Sequence, residues 1–350
     1  MGLKSISSAT KKQPQPETDE MKNLRTTYLT LSAVLALSAM SAMAEPTVFI
    51  PLGTGNQVIA VDAATDRITT SYPGLDDPHG LVATPDGEYL VAGSLKETPL
   101  PAGSASDTPN SKLFVVHPAH GHVMFTIPVS GWTHHLAISP DGRFVVSTHP
   151  TRGGVSVADL QSNQVIKTIQ TGPAPNYTVF TRDGKRAFVS NSGNGSISEI
   201  DSSTWEVKRT LEAGPAPEHI VLSSDEKTLY SLNPQAGTVS VVSVESGKIV
   251  ESYKIGAKLH GLDLSDDGQT LFVSSVTDNK LAAVDLRDGT QRVLALSPAP
   301  YHLNTIHGAG KVYVSSRNEP IIWVVDQKTL KLVGKIKLPA GVGHQMAIMP

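Results

Sequence analysis

The sequence predicts an all-β fold, a seven-bladed β-propeller of four-stranded blades whose ring closes by pairing the C-terminal strand with the N-terminal blade. Three observations predict it. With 29 glycines and 24 prolines in 350 residues and few aromatics, the composition suits short strands joined by tight turns. A strand–turn–strand phrase recurs with a period near 42 residues, the length of a four-stranded blade. The two ends of the segment 45–350 supply complementary parts of one further blade.

The chain opens on a polar extension, residues 1–20, with no apolar period. Residues 21–44 read as a secretory signal peptide. Lys22 and Arg25 give a positive start, residues 28–40 an apolar run, and Ala42-Met43-Ala44 a small-residue cleavage site. The mature protein is then expected to begin at Glu45, to reside in the periplasm and to carry no membrane span. It has no cysteine, so it needs no disulfide and holds no thiolate-bound cofactor. Removing residues 1–44 takes away five basic and three acidic groups, moving the net charge from −3 to −5. A mildly acidic chain gives no support to a nucleic-acid partner.

From residue 45 the chain is expected to be one propeller domain ending at 350. Residues 47–72 match strands two to four of a blade with no first strand before them. The repeated phrase follows at 81–87, 136–142, 178–184, 220–226 and 262–268, with a degenerate copy at 303–310. Its turn has a physical reason: Pro140 pre-sets φ, Asp141 bonds the backbone ahead, and Gly142 accepts a left-handed conformation. Second strands such as 186–191 and 311–316, third strands such as 196–200 and fourth strands such as 206–211 alternate apolar and polar residues. Residues 344–350 match a first strand, which completes the N-terminal blade and removes the exposed sheet edges.

Phe188-Val189-Ser190-Asn191 and Val312-Tyr313-Val314-Ser315, in this context, resemble the YVTN family of propeller repeats over nearly all of 45–350. The resemblance implies the fold. It implies no particular activity, because propellers host unrelated ones.

Aligning back from the turns gives two adjacent columns, expected on the connection just before each innermost strand, at one mouth of the central channel. The first reads His79, His134, Asn176, Glu218, His260, Tyr301, His344. The second reads Gly80, His135, Tyr177, His219, Gly261, His302, Gln345. Three readings of the histidines stand side by side. They cap the loop by bonding backbone groups; they converge on a transition metal such as copper, zinc or iron; or, charged, they line a polar funnel with Tyr177, Glu218 and Tyr301 for a small ligand. The His134-His135 pair within such a ring resembles the catalytic propeller of nitrous oxide reductase, whose mouth histidines hold a copper cluster. The resemblance implies a copper-type site. That enzyme's further cysteine-liganded domain has no counterpart here.

A long insertion between strands two and three of the second blade, Ser94 to Ser111, is expected on the same face, as are His149 and Arg152 of the next blade, two further candidate ligand contacts. His117, His120 and His122 form a compact cluster expected on the opposite face, toward the rim, and His307 belongs to that opposite face too. The Pro-His theme around His79 and the Pro-Asp-Gly turns are similar to seven-bladed lactonases, although Thr148-His149-Pro150 departs from the Asp-Leu-Gly pattern of those enzymes. There is no Gly-x-Ser-x-Gly nucleophile elbow. The main expectation is a non-catalytic periplasmic propeller whose histidine-lined mouth receives a metal ion, a small ligand or a periplasmic protein partner. The alternative is a metal-dependent enzyme or redox accessory subunit, and after it a lactonase-like hydrolase.

Overall fold

The computed structural model describes Met1, Gly2 and residues 46–349. The polar extension and the signal peptide, apart from those first two residues, lie outside the described residues. Seven four-stranded antiparallel sheets follow one another along the chain. A representative blade runs outward from Pro175–Phe180 through Arg186–Asn191 and Ser196–Asp201 to Glu206–Glu212. One sheet is assembled from both ends. Ala347–Met349 pairs with Thr47–Leu52 in the register Thr47↔Met349, Val48↔Ile348, Phe49↔Ala347. Among the described residues no helix is long and apolar enough to cross a membrane.

Packing seals the ring where the two ends meet. Val48, Ile50 and Ile59 of the first sheet bury against Tyr313, Ile322 and Val324 of the last. Each fully buried aliphatic side chain of this kind stabilises the ring by about 1.5–3 kcal/mol. The alternation read from sequence is therefore the alternation of faces packed against the preceding and the following blade.

The turns behave as their residues require. Asp86, Asp141, Asp183, Asp225 and Asp267 each accept a bond from the backbone N–H two residues ahead. Each also accepts a hydroxyl bond, from Thr84, Ser139, Thr181, Ser223 and Ser265 in turn. Gly142 and Gly184 sit at φ 74° and 68°, where a Cβ would be strained.

At the other end of the innermost strands the structure corrects the placement of the two columns. In four blades they lie inside the strand, not before it. Register breaks fall between Pro78 and Leu81, Pro175 and Thr178, Leu259 and Leu262, and Pro300 and Leu303. A bulge leaves residues out of the ladder and re-aims their side chains. Here the re-aimed residues are the two column positions. In the other three blades the shorter first strands, Leu136–Ile138, Ile220–Leu222 and Ala347–Met349, begin just after the columns.

Candidate functional site

Backbone groups at the columns are satisfied by hydroxyls of the second strands. Thr148, Ser190, Ser274 and Ser315 accept bonds from the N–H of His135, Tyr177, Gly261 and His302 at 3.0, 3.0, 2.7 and 3.1 Å. Three of these hydroxyls donate onward to the next blade, Thr148 to the Asn176 carbonyl at 2.9 Å, Ser190 to that of Glu218 at 2.5 Å, and Ser274 to that of Tyr301, while Ser315 donates to the His302 carbonyl of its own blade. One repeated Ser/Thr thus caps a column N–H in its own blade and, for Thr148, Ser190 and Ser274, ties it to the neighbour. The capping reading of the histidines is overturned for most of them, because this device already does the job. His135 is the exception in the ring, with Nδ1 3.0 Å from the Asn176 carbonyl.

The imidazoles converge instead on one another. His135, His219 and His302 are buried at 0, 1 and 1 % exposure, and their ligand atoms lie within 4.8 Å of one another. His79, His134 and His135 form a second such group, and among the described residues these two are the only groups of three. His344 is buried between them, 3.3 Å from His79 and 4.7 Å from His302 by ring centroid. His260 stacks on Tyr301 at 3.7 Å and faces Glu218, its Nδ1 3.5 Å from Oε2. Nine buried ring nitrogens of these seven histidines have no hydrogen-bond partner: Nε2 of His79, His135, His219 and His260, Nδ1 of His134, and both nitrogens of His302 and of His344.

A buried polar atom without a partner costs about 1–3 kcal/mol. Nine in one place, up to seven of them lone-pair nitrogens because each neutral ring also carries one N–H, call for an occupant that accepts nitrogen lone pairs. Burial, and then repulsion between neighbouring rings, holds His79, His135, His219, His302 and His344 well below the ordinary imidazole range. Burial takes His134 to about 4, and burial together with Arg317 takes His260 to about 3. These rings are neutral at pH 7. Neutral imidazoles are metal ligands, and they do not supply the positive charge that the anion-funnel reading requires.

The positive charge at the mouth is Arg317, which the sequence reading missed. Its guanidinium lies 5.1 Å from the Tyr301 ring centroid and lines, with His79, His344, Tyr301, Asp77 and Leu95, a cleft of about 200 Å³. Burial raises the Glu218 carboxyl above its ordinary value, offset in part by His134 and Arg317. Burial also raises the Tyr177 phenol. Tyr177 packs its ring 4.8 Å from both His135 and His219. Gln345 is a brace: Oε1 accepts from the N–H of Leu81 and Leu136, and Nε2 donates to the Leu136 carbonyl. Two column positions carry no side chain because the neighbouring backbone is too close. A Cβ on Gly80 would meet His135 Cα at 2.9 Å, and one on Gly261 would meet the Tyr301 oxygen at 2.7 Å.

His149 and Arg152 stand apart from the ring. His149 Nδ1 is 3.1 Å from the Trp132 carbonyl, and its Nε2 is 3.0 Å from the hydroxyls of Ser147 and Ser156. It ends a second strand, as Asn191 and Asn233 do, and those asparagines bond Ser198 and Ser240 in the same way. These bonds tie it to the second-strand ladder, a placement that alignment of second-strand ends would have revealed. His149 and Arg152 together line a separate cleft of about 210 Å³ with Ser106 and Asp107 of the insertion. That insertion packs on the following connection: Glu97 accepts from the Trp132 N–H at 2.9 Å, Asn110 from the Gly131 N–H at 2.8 Å, and Ser130 donates to the Ser106 carbonyl at 2.9 Å. Trp132, so held, meets His134 edge-on at 5.6 Å. His117 and His120 stack at 4.2 Å beside the turn between strands three and four, and His307 bonds Asp266, both away from the ring.

The family described as lactonase, seven-bladed β-propeller, matches residues 129–318. No curated protein matches the chain. A protein from Bacteroides uniformis described as a candidate 6-phosphogluconolactonase is 19% identical, covering 87% of this chain and 100% of that one with a TM-score of 0.71. The periplasmic gluconolactonase of Pseudomonas aeruginosa is 17% identical over 87% and 99%, with a TM-score of 0.69. The hydrazine synthase of Kuenenia stuttgartiensis is 21% identical over 75% and 87%, with a TM-score of 0.65. At these identities the likeness is one of fold.

Proposed function

This chain belongs to the lactonase family of seven-bladed β-propellers, and we propose that it is a lactone hydrolase whose centre is a transition metal held by the histidine ring. The observation that carries the metal is the set of nine buried ring nitrogens without partners. Family membership supports the reaction. When bound, the metal would supply a Lewis acid for the lactone carbonyl and would lower the pKa of a bound water. Zinc, copper and iron all suit such a donor set.

The chain's own residues take the remaining tasks. The cleft lined by Tyr301 and Arg317 receives the lactone, and the guanidinium binds a carboxylate or phosphate on the substrate. Glu218, raised by burial, takes a proton from the attacking water and returns it to the departing ring oxygen, so the ring opens to a hydroxy acid with no net proton change at the residue. Tyr177 packs against His135 and His219, and Gln345 braces the adjoining backbone. The test is hydrolysis of glucono-1,5-lactone and its 6-phosphate, followed by acid release, with metal-loaded and chelator-stripped protein. Hydrolysis above the spontaneous rate that vanishes on stripping supports the proposal. Bound metal without hydrolysis would favour the second reading, a non-catalytic binding propeller for a small ligand or a periplasmic partner, which rests on the same unpartnered nitrogens.

We also assign the chain to the YVTN-type repeats and to the periplasm, on Phe188-Val189-Ser190-Asn191 and on the signal-like segment 21–44. Expression from Met21 with N-terminal sequencing of the exported product tests this. Glu45 is the expected first residue; a product that retains residues 21–44 would contradict it.

A further inference from the structure

We infer that the histidine ring holds two metal ions in separate positions of different accessibility, a closed inner one on His135, His219 and His302 and an open outer one anchored by His79 and His134. The inference rests on the metal reading above and adds what that reading leaves open, the number and arrangement of ions.

Donor counting is the first argument. A tetrahedral site takes four ligands, three of them protein side chains where a position stays open. Each neutral ring carries one N–H and one lone pair, so the seven histidines with unpartnered nitrogens offer up to seven donors, more than one ion uses. Geometry is the second. The two groups with ligand atoms inside 4.8 Å share only His135, and that ring has one nitrogen free, since Nδ1 is taken by the Asn176 carbonyl. One free nitrogen makes one metal bond, so His135 serves a single ion. The inner group is then complete with His219 and His302. The outer group keeps His79 and His134, and His344, whose ring lies against His79 with both nitrogens unpartnered, stands beside them as a further donor.

Exposure separates the two positions. The inner histidines are buried at 0, 1 and 1 %. His79 and His134 are only half-buried, and His79 and His344 line the cleft that carries Arg317. The outer ion therefore meets substrate and exchanges readily. The inner ion exchanges slowly and holds the ring in shape from within, through rings whose backbones the Thr148 and Ser315 hydroxyls fix.

The test is titration of tag-free, metal-stripped protein with cobalt(II), read by visible absorption and by elemental analysis after a brief chelator wash. Two equivalents are expected, of which the wash removes one. A His79→Ala/His134→Ala variant, checked for native far-UV circular dichroism, should retain one wash-resistant equivalent. One equivalent in the wild-type protein, or loss of both ions in that variant, would overturn the two-position arrangement and leave the metal reading intact. No bound cobalt in the wild type would overturn both.

Discussion

The two ends of the innermost strands follow opposite rules. At the Pro-Asp-Gly end five of the seven blades solve the same local problem in the same way. Asp86, Asp141, Asp183, Asp225 and Asp267 repeat one pattern of bonds, and each is satisfied within its own turn. At the other end the blades differ from one another, and the polar side chains are left without partners. Repetition with satisfied hydrogen bonds marks a residue kept for the fold. Convergence from different blades with unsatisfied nitrogens marks a residue kept for something the protein itself does not contain.

The largest effect should come at the histidine end. Glu218→Gln keeps the shape of the side chain and removes its ability to carry the proton. We expect kcat for lactone hydrolysis to fall by about 100-fold, within the range of general acid–base contributions, with metal content unchanged. An unchanged kcat would remove Glu218 from the mechanism.

A smaller effect separates the histidine of the second-strand ladder from those of the ring. Burial holds His149 at about 4 in the folded chain, against 6.5 for an ordinary imidazole. Between those values the unfolded chain binds a proton that the folded chain refuses. Stability is therefore full above pH 6.5 and is lost as pH falls toward 4, by about 3 kcal/mol from this residue. His149→Asn, which copies Asn191 and Asn233, should leave the fold and the metal content intact. It should make the pH dependence of the urea midpoint shallower by about one proton. An unchanged slope would contradict the assignment.

The smallest effect belongs to the turn end. Asp183→Ala removes bonds to the Lys185 N–H and the Thr181 hydroxyl, at a cost of about 1 kcal/mol. Thermal denaturation should report that loss while hydrolysis and metal content stay at the wild-type level. A loss of metal there would erase the distinction between the two ends.

The repeat made the fold legible. The turn residues and the period near 42 residues define the blades, and the complementary ends define closure. The ring of seven histidines was legible too, because a strict repeat puts equivalent positions at equivalent radii. What failed were features that depend on local departures from the repeat. The bulges that move the columns into the strands leave no mark on residue type. Arg317 belongs to neither column and reaches the mouth from the loop after a second strand. His149, expected on the face of the mouth, stands outside the ring, held by the Trp132 carbonyl and the Ser147 and Ser156 hydroxyls beside the cleft that Arg152 also lines. The Ser/Thr staple was visible as Ser190 and Ser315 in the repeated strands; that it frees the histidines from capping became clear only from its bonds.

The most direct test of the central claim, that the histidine ring is a metal centre, is X-ray absorption spectroscopy at the metal edge of tag-free protein loaded with zinc to stoichiometry. The account predicts a first shell dominated by imidazole nitrogens at about 2.0–2.1 Å, with the outer-shell scattering of histidine rings. Protein that takes up no stoichiometric metal, or a first shell of oxygens alone, would contradict it.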